Sequence, residues 1–338
     1  MTEGEGASRV KDEHIRVCLG KSVESRQTTG LEKVRLLGGL PDFAADEMDV
    51  RCQFLGKSLD LPLLIAPLTG GGTKSTRINR ILAEAAEQCR IGMAVGSEAA
   101  MLEGGAGRES YMVRQFAPSV PLLANLGLIH AKKGRDYFLE AVEAIEGDAI
   151  TVYVNPLHEI LQRHGERDFR GALDALGDLA EDFPYPIFLK EVGFGLPERL
   201  FSWASERSIA GVDVAGLGGT NWALIEGLMQ GKDYTLYGQL GMCTRDAIVS
   251  ARKLLKEGQY LIASGGLRTG IDMAKAFALG AHLAAMALPF LRWADQSTAV
   301  VVQGVERLKE QLLLALWYCG CRSIIDLRGR FLLEPNLP

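Results

Sequence analysis

The groups with the most chemical potential in this sequence fall at the ends of short apolar runs. Lys190 lies near the end of the run at residues 187–191, and Asp213 near the end of the one at 211–214. An ammonium buried at such a point needs a ligand or a carboxylate to accept its charge, so Lys190 is either half of a structural ion pair or a fixed positive charge for a bound group. Glu191 and Asp213 are the neighbouring carboxylates. Ser97 follows a second apolar run and Asn125 ends a third, placing a hydroxyl and a carboxamide at equivalent points.

Glycine marks the turns that follow. Ser264-Gly265-Gly266 and Ala287-Leu288-Pro289 each lead from an apolar run into a helical stretch, and unpaired N–H groups at such turns form a phosphate cradle. Leu68-Thr69-Gly70-Gly71-Gly72 would bring bare backbone against a flat ligand, and Gly216 to Thr220 forms a similar turn. A phosphate cradle, a lysine, a serine and an asparagine on successive strand tips describe a site for flavin mononucleotide (FMN). Lys190 would then face the pyrimidine edge of the ring and favour its anionic reduced form.

Eight apolar runs carry these groups, at 63–66, 92–95, 122–125, 149–154, 187–191, 211–214, 261–264 and 284–287. Helix-period stretches separate them, such as Ile78, Ile81, Leu82 and Ala85, or Met273, Ala276 and Phe277. Runs that are apolar at nearly every position suit parallel strands covered on both faces. The pattern predicts an α/β (β/α)8 TIM barrel with its chemistry at the strand C-termini; a doubly wound open sheet is the rival. One domain spans 1–338, with residues 1–60 as an N-terminal arm and cap, and an insertion at 220–243 after the sixth strand.

Composition agrees with a small-molecule enzyme. The chain has 338 residues, 47% hydrophobic, and Lys+Arg 37 against Asp+Glu 42 leaves −5, with no basic run to suit nucleic acid or an anionic membrane. No secretory h-region or membrane-length apolar stretch stands out, so a cytoplasmic location is expected. The six cysteines are scattered and expected as reduced, space-filling thiols.

The chain also resembles the type 2, FMN-dependent isopentenyl diphosphate isomerases from Lys11 to about Arg330. Lys11-Asp12-Glu13-His14-Ile15, Asn125-Leu126-Gly127-Leu128, Asn155-Pro156-Leu157-His158-Glu159, Asp168-Phe169-Arg170, Lys190-Glu191-Val192-Gly193 and Gly218-Gly219-Thr220 carry the likeness. The resemblance implies interconversion of isopentenyl and dimethylallyl diphosphate by flavin-assisted proton addition and elimination, with NADPH priming the flavin. It places FMN on Leu68, Thr69, Gly70, Ser97, Asn125, Lys190, Thr220, Gly265, Gly266, Ala287 and Leu288. Substrate would meet Lys11, His14, Ser97, Asn155 and His158, while Glu159 would hold Mg²⁺ once a diphosphate completes the shell. His158, Lys190 and Glu159 are the implied catalytic set, and a homo-oligomer, tetramer or octamer, is the implied assembly.

The likeness breaks on the substrate side. An Arg-Lys pair in the family is Val10-Lys11 here, a Gly-Ser-x-Arg segment reads Gly96-Ser97-Glu98-Ala99, and the glutamine before the magnesium ligand is His158. Two phosphate-binding arginines are therefore absent, and Glu98 is expected to add negative charge where an anion would sit. Imidazole at 158 remains a competent acid/base. The alternatives are a diverged member acting on a different, non-diphosphate substrate and a catalytically silent flavin-binding protein. His130, His164 and His282 are expected in solvated or structural roles.

Overall fold

The computed structural model describes residues 3–104, 107–163 and 165–333, with side chains from residue 9 onward. His164 lies outside the described residues. A long helix α1 (Glu3–Gly20) leads to three short strands, β1 (Val34–Leu36), β2 (Cys52–Phe54) and β3 (Lys57–Leu59). Eight strands then alternate with helices: β4 (Leu63–Ile65), α2 (Thr73–Cys89), β5 (Gly92–Ala94), α3 (Ala99–Gly104), β6 (Leu122–Gly127), α4 (Arg135–Ala144), β7 (Ala149–Tyr153), α5 (Pro156–Leu161), α6 (Ala172–Glu181) and β8 (Ile187–Lys190). The series continues through α7 (Glu198–Ser205), β9 (Gly211–Asp213), α8 (Trp222–Gln230), α9 (Thr244–Leu254), β10 (Tyr260–Ala263), α10 (Gly270–Ala278), β11 (Leu283–Met286), α11 (Leu288–Ala294), α12 (Thr298–Cys319) and β12 (Phe331–Leu333).

Strands β4 to β11 are the eight runs anticipated from sequence, and they pair in parallel. β11 bonds back to β4, with Ala284 opposite Leu63 and Met286 opposite Ile65, so the sheet is a closed barrel and the open alternative is excluded. Alternation sorts the strand residues onto two faces. Leu64, Ala94, Leu123, Ala149, Phe188, Ile262, Leu283 and Ala285 fill the interior, whereas Leu63, Ile65, Met93, Val152, Leu189 and Val212 pack outward into the larger core beneath the helices. Both sets are apolar because both faces are covered.

The first sixty residues divide between the two ends of the barrel. β2 and β3 form a hairpin turned by Leu55 and Gly56, both at positive φ. It drives Phe54 into the barrel floor, edge-on to Tyr260 with centroids 5.1 Å apart and 5.6 Å from Phe188. Lys57 anchors it to the opposite end from the strand tips, donating to Asp148 at 2.8 Å and to the Val120 carbonyl. By contrast, Ser25 donates to Gly219 O at 2.7 Å and Glu24 bridges Thr220, so residues 23–29 lie against the catalytic-side turns. Segment 220–243 contains α8, which packs on α1 and α5. All six cysteines are free thiols, and among the described residues no helix is long and apolar enough to cross a membrane.

Candidate active site

At the tips of β8 and β9, Lys190 and Asp213 are buried. Lys190 donates to the Glu191 carbonyl at 2.5 Å rather than closing a direct ion pair. Burial lowers its pKa, and the attraction of Asp213 and then Glu191 works against that shift. Burial likewise raises Asp213, which accepts a short bond from Ser264. Glu191 accepts from the N–H groups of Val192, Gly193 and Phe194 at 2.5–2.7 Å, yet burial still pushes it up to about 7. The carboxylate is spent on shaping the turn, leaving the ammonium at the strand tip.

The Asn125 amide oxygen accepts from Thr151 at 2.7 Å, which orients the carboxamide. Ser97 shares a 3.1 Å bond with the Tyr153 hydroxyl and accepts from Tyr111 on its carbonyl at 2.7 Å. Thr151, Tyr153 and Tyr111 therefore position the expected residues. Strand alternation puts Thr151 and Tyr153 on one face, but nothing in the sequence alone pairs them with Asn125 or Ser97.

Gly265 and Gly266 have φ of 97° and 83°, and an added Cβ would lie 2.1 Å from Gly216 O and 2.3 Å from Gly218 O respectively. Only glycine lets this turn nest against the turn after β9. Among the described residues their N–H groups donate to no main-chain carbonyl outside regular elements, and Leu288 opens α11 just beyond Ala287. Unpaired donors on two adjacent turns fit the phosphate of FMN. The glycines after β4 have a different cause. A Cβ at Gly70 would meet the Tyr111 ring at 2.1 Å, and one at Gly72 would meet Asp12 at 2.5 Å. Their missing Cβ atoms make room for the protein's own side chains, Tyr111 and Asp12.

Above the mouth, α1, α5 and α8 bring together residues far apart in the chain. His14 and His158 each place Nε2 3.2 Å from the same Glu226 oxygen. Trp222 packs beside them, with ring centroids 4.4 Å from His158 and 5.2 Å from His14. Burial would raise Glu226, but hydrogen bonds from His14 and His158 reverse that and hold it down at about 2. Burial keeps His14 below the ordinary histidine value despite its bond to Glu226. An ionised carboxylate thus bridges two imidazoles. Glu226 and Trp222 were missed from sequence; their i, i+4 spacing on α8 was the available signal.

Glu159 accepts from Asn155 Nδ2 at 2.7 Å and from the Glu166 N–H at 2.8 Å. Lys11 lies near enough to feel its charge, although desolvation lowers the lysine overall. One half-buried carboxylate with both oxygens already engaged fits only a cation that keeps most of its waters or takes oxygens from a substrate, the behaviour of Mg²⁺. Val10 is 47% exposed and carries no charge toward this region. Glu98 overturns its expectation: it is fully buried, one oxygen accepts from Asn125 N at 2.9 Å, and the other has no partner. Burial raises its pKa well above the ordinary value, against the opposing backbone bond from Asn125, and the side chain lies inside the wall rather than presented to the mouth.

The sequence family described as FMN-dependent dehydrogenase matches residues 240–334. A protein of Mycolicibacterium vanbaalenii named isopentenyl-diphosphate delta-isomerase is 38% identical over 336 residues, covering 98% of each chain. One of the same name from Synechococcus is 40% identical, covering 96% of each. Among solved structures, a flavocytochrome b2 variant with sulfite bound superposes at a TM-score of 0.73 with 18% identity, over 98% of this chain and 85% of that one. A mandelate oxidase variant superposes at 0.66 with 18% identity, over 99% and 100%. These structures share the fold.

Proposed function

This chain belongs to the isopentenyl-diphosphate delta-isomerase family, and from that premise we propose that it is the FMN-dependent, type 2 enzyme, moving a double bond between isopentenyl and dimethylallyl diphosphate. The observation that carries the reading is the stacking of two layers: a strand-tip layer of Lys190, Asn125 and Ser97 beside a phosphate cradle, and above it a lid holding His14, His158 and Glu226. Reduced FMN would supply, when bound, an electron-rich ring that takes part in adding and removing protons with no net redox change.

The chain's own residues divide the remaining work. Leu68, Thr69, Gly70 and Thr220 would line the ring and side chain of the cofactor, Lys190 would hold its anionic edge, and Gly265, Gly266, Ala287 and Leu288 would take its phosphate. His158, held between Glu226 and Gln162 at 3.2 and 2.8 Å, is placed to hold or move a proton at Nε2. Glu159 would anchor Mg²⁺ through a diphosphate, Lys11 would neutralise phosphate charge, and Asn155 orients Glu159. NADPH as reductant, a homo-oligomeric assembly and a cytoplasmic site of action complete the reading.

The loss of positive charge at Val10 and Ala99 favours a second reading, in which the same barrel acts on a substrate without a free diphosphate. Incubation of the reduced, FMN-loaded protein with isopentenyl diphosphate and Mg²⁺ in D₂O decides between them. Dimethylallyl product carrying deuterium is expected. Flavin bound without product or substrate binding would overturn the isomerase reading and leave the second, or a silent flavoprotein.

A further inference from the structure

We propose that His14, His158 and Glu226 form a site for a first-row divalent metal of the zinc type, separate from the magnesium position at Glu159. The three side chains come from α1, α5 and α8, and their ligating atoms all lie within 4.8 Å of one another. Two imidazole nitrogens and a carboxylate are a borderline-soft donor set, which suits Zn²⁺ and its neighbours rather than Mg²⁺. With metal–ligand bonds of about 2.0–2.1 Å, a tetrahedral ion sets its ligand atoms about 3.3 Å apart. Each imidazole Nε2 already stands 3.2 Å from Glu226 Oε1. A modest separation of the two rings from that shared oxygen admits an ion.

The surroundings also resemble those of a metal centre. Glu226 Oε2 accepts from Gln230 at 3.2 Å, which fixes the carboxylate. Gln162 places its Nε2 2.8 Å from His158 Nε2 and 3.3 Å from His158 Nδ1, so a metal on Nε2 requires this amide to move off that nitrogen and turn its oxygen to the Nδ1–H as the outer partner of the ligating imidazole. Trp222 walls the cluster and limits its exchange with water. Neutral imidazole ligates through an unprotonated nitrogen, so each ring must carry its proton on Nδ1 when metal is bound. Three protein ligands leave a coordination position for water or a substrate oxygen. Because His158 cannot hold a metal and a mobile proton on the same Nε2, zinc occupancy excludes its acid/base role.

The test is equilibrium dialysis of the full-length, FMN-loaded oxidised protein against Zn²⁺, with Co²⁺ substitution to read coordination by visible absorbance. One ion per chain is expected, with cobalt bands of a four- or five-coordinate site. His158→Gln and Glu226→Gln should each weaken zinc about 100-fold or more, whereas Glu159→Gln should leave zinc stoichiometry unchanged. The flavin spectrum of each variant reports that it is folded. Less than stoichiometric zinc in the parent protein, or equal zinc affinity in the parent and the folded His158→Gln protein, would overturn the proposal. Both readouts are independent of turnover, so they separate this site from the isomerase reading.

Discussion

Lys190 and Glu98 are both buried ionisable groups near the mouth, and burial favours the neutral form of each, but carboxylates oppose it only at Lys190. Lys190 has Asp213 and Glu191 close by to offset its desolvation, so a positive charge can persist at the strand tip. Removing it by Lys190→Met is expected to lower turnover about 10²–10³-fold, the scale on which loss of one preorganised electrostatic group acts, with a fall in flavin reduction potential measured on the same protein. An unchanged potential would remove Lys190 from the cofactor edge. Glu98 has no cation among the groups shifting it, and its folded pKa is raised. Its unfolded form ionises first as pH rises, so the unfolded state binds fewer protons and stability declines above the ordinary carboxylate pKa. Glu98→Gln removes that decline. Its melting temperature relative to wild type should therefore improve from pH 5 to pH 8; a constant difference would mean that Glu98 is ionised in the folded protein.

At the scale of elements, β2 and β3 separate stability from chemistry. Phe54 is fully buried in the interior layer with Phe188 and Leu123, at the end away from Lys190. Phe54→Ala should cost about 3–5 kcal/mol of folding stability, read by denaturant unfolding, while FMN affinity of the folded protein stays within about twofold. A large loss of affinity at full folding would connect the barrel floor to the site. The eight barrel strands were legible in the sequence because both of their faces are apolar and turn residues punctuate them. The hairpin was not: Cys52 to Leu59 carries mixed polarity, and its destination beneath the barrel depends on Lys57 reaching Asp148, 91 residues away. The same limit applied to the lid. Histidines 14 and 158 could be singled out one by one, but the carboxylate joining them sits on α8, and only the docking of three helices reveals it.

For the whole molecule, the open issue is how much positive charge the assembled mouth presents to a substrate. On the proposed reading, barrel turns would supply the cofactor side, while α1, α5 and the start of α3 would supply the substrate side; α1 and α3 pack together. Val10 and Ala99 stand on them. Each missing charge-assisted contact is worth about 1.5–3 kcal/mol, so two together correspond to on the order of 10²–10⁴ in diphosphate affinity. Glu98 is fully buried, with one oxygen tied to Asn125 N, and burial favours its neutral form, so Val10 and Ala99 are the two positions to test. Installing Val10→Arg and Ala99→Arg together should then lower KM for isopentenyl diphosphate by about 10²-fold, with a smaller change in kcat and a steeper dependence of KM on ionic strength. If the double variant binds FMN normally but neither KM nor its salt dependence moves, the mouth is not shaped for a diphosphate, and the substrate belongs to another chemical class.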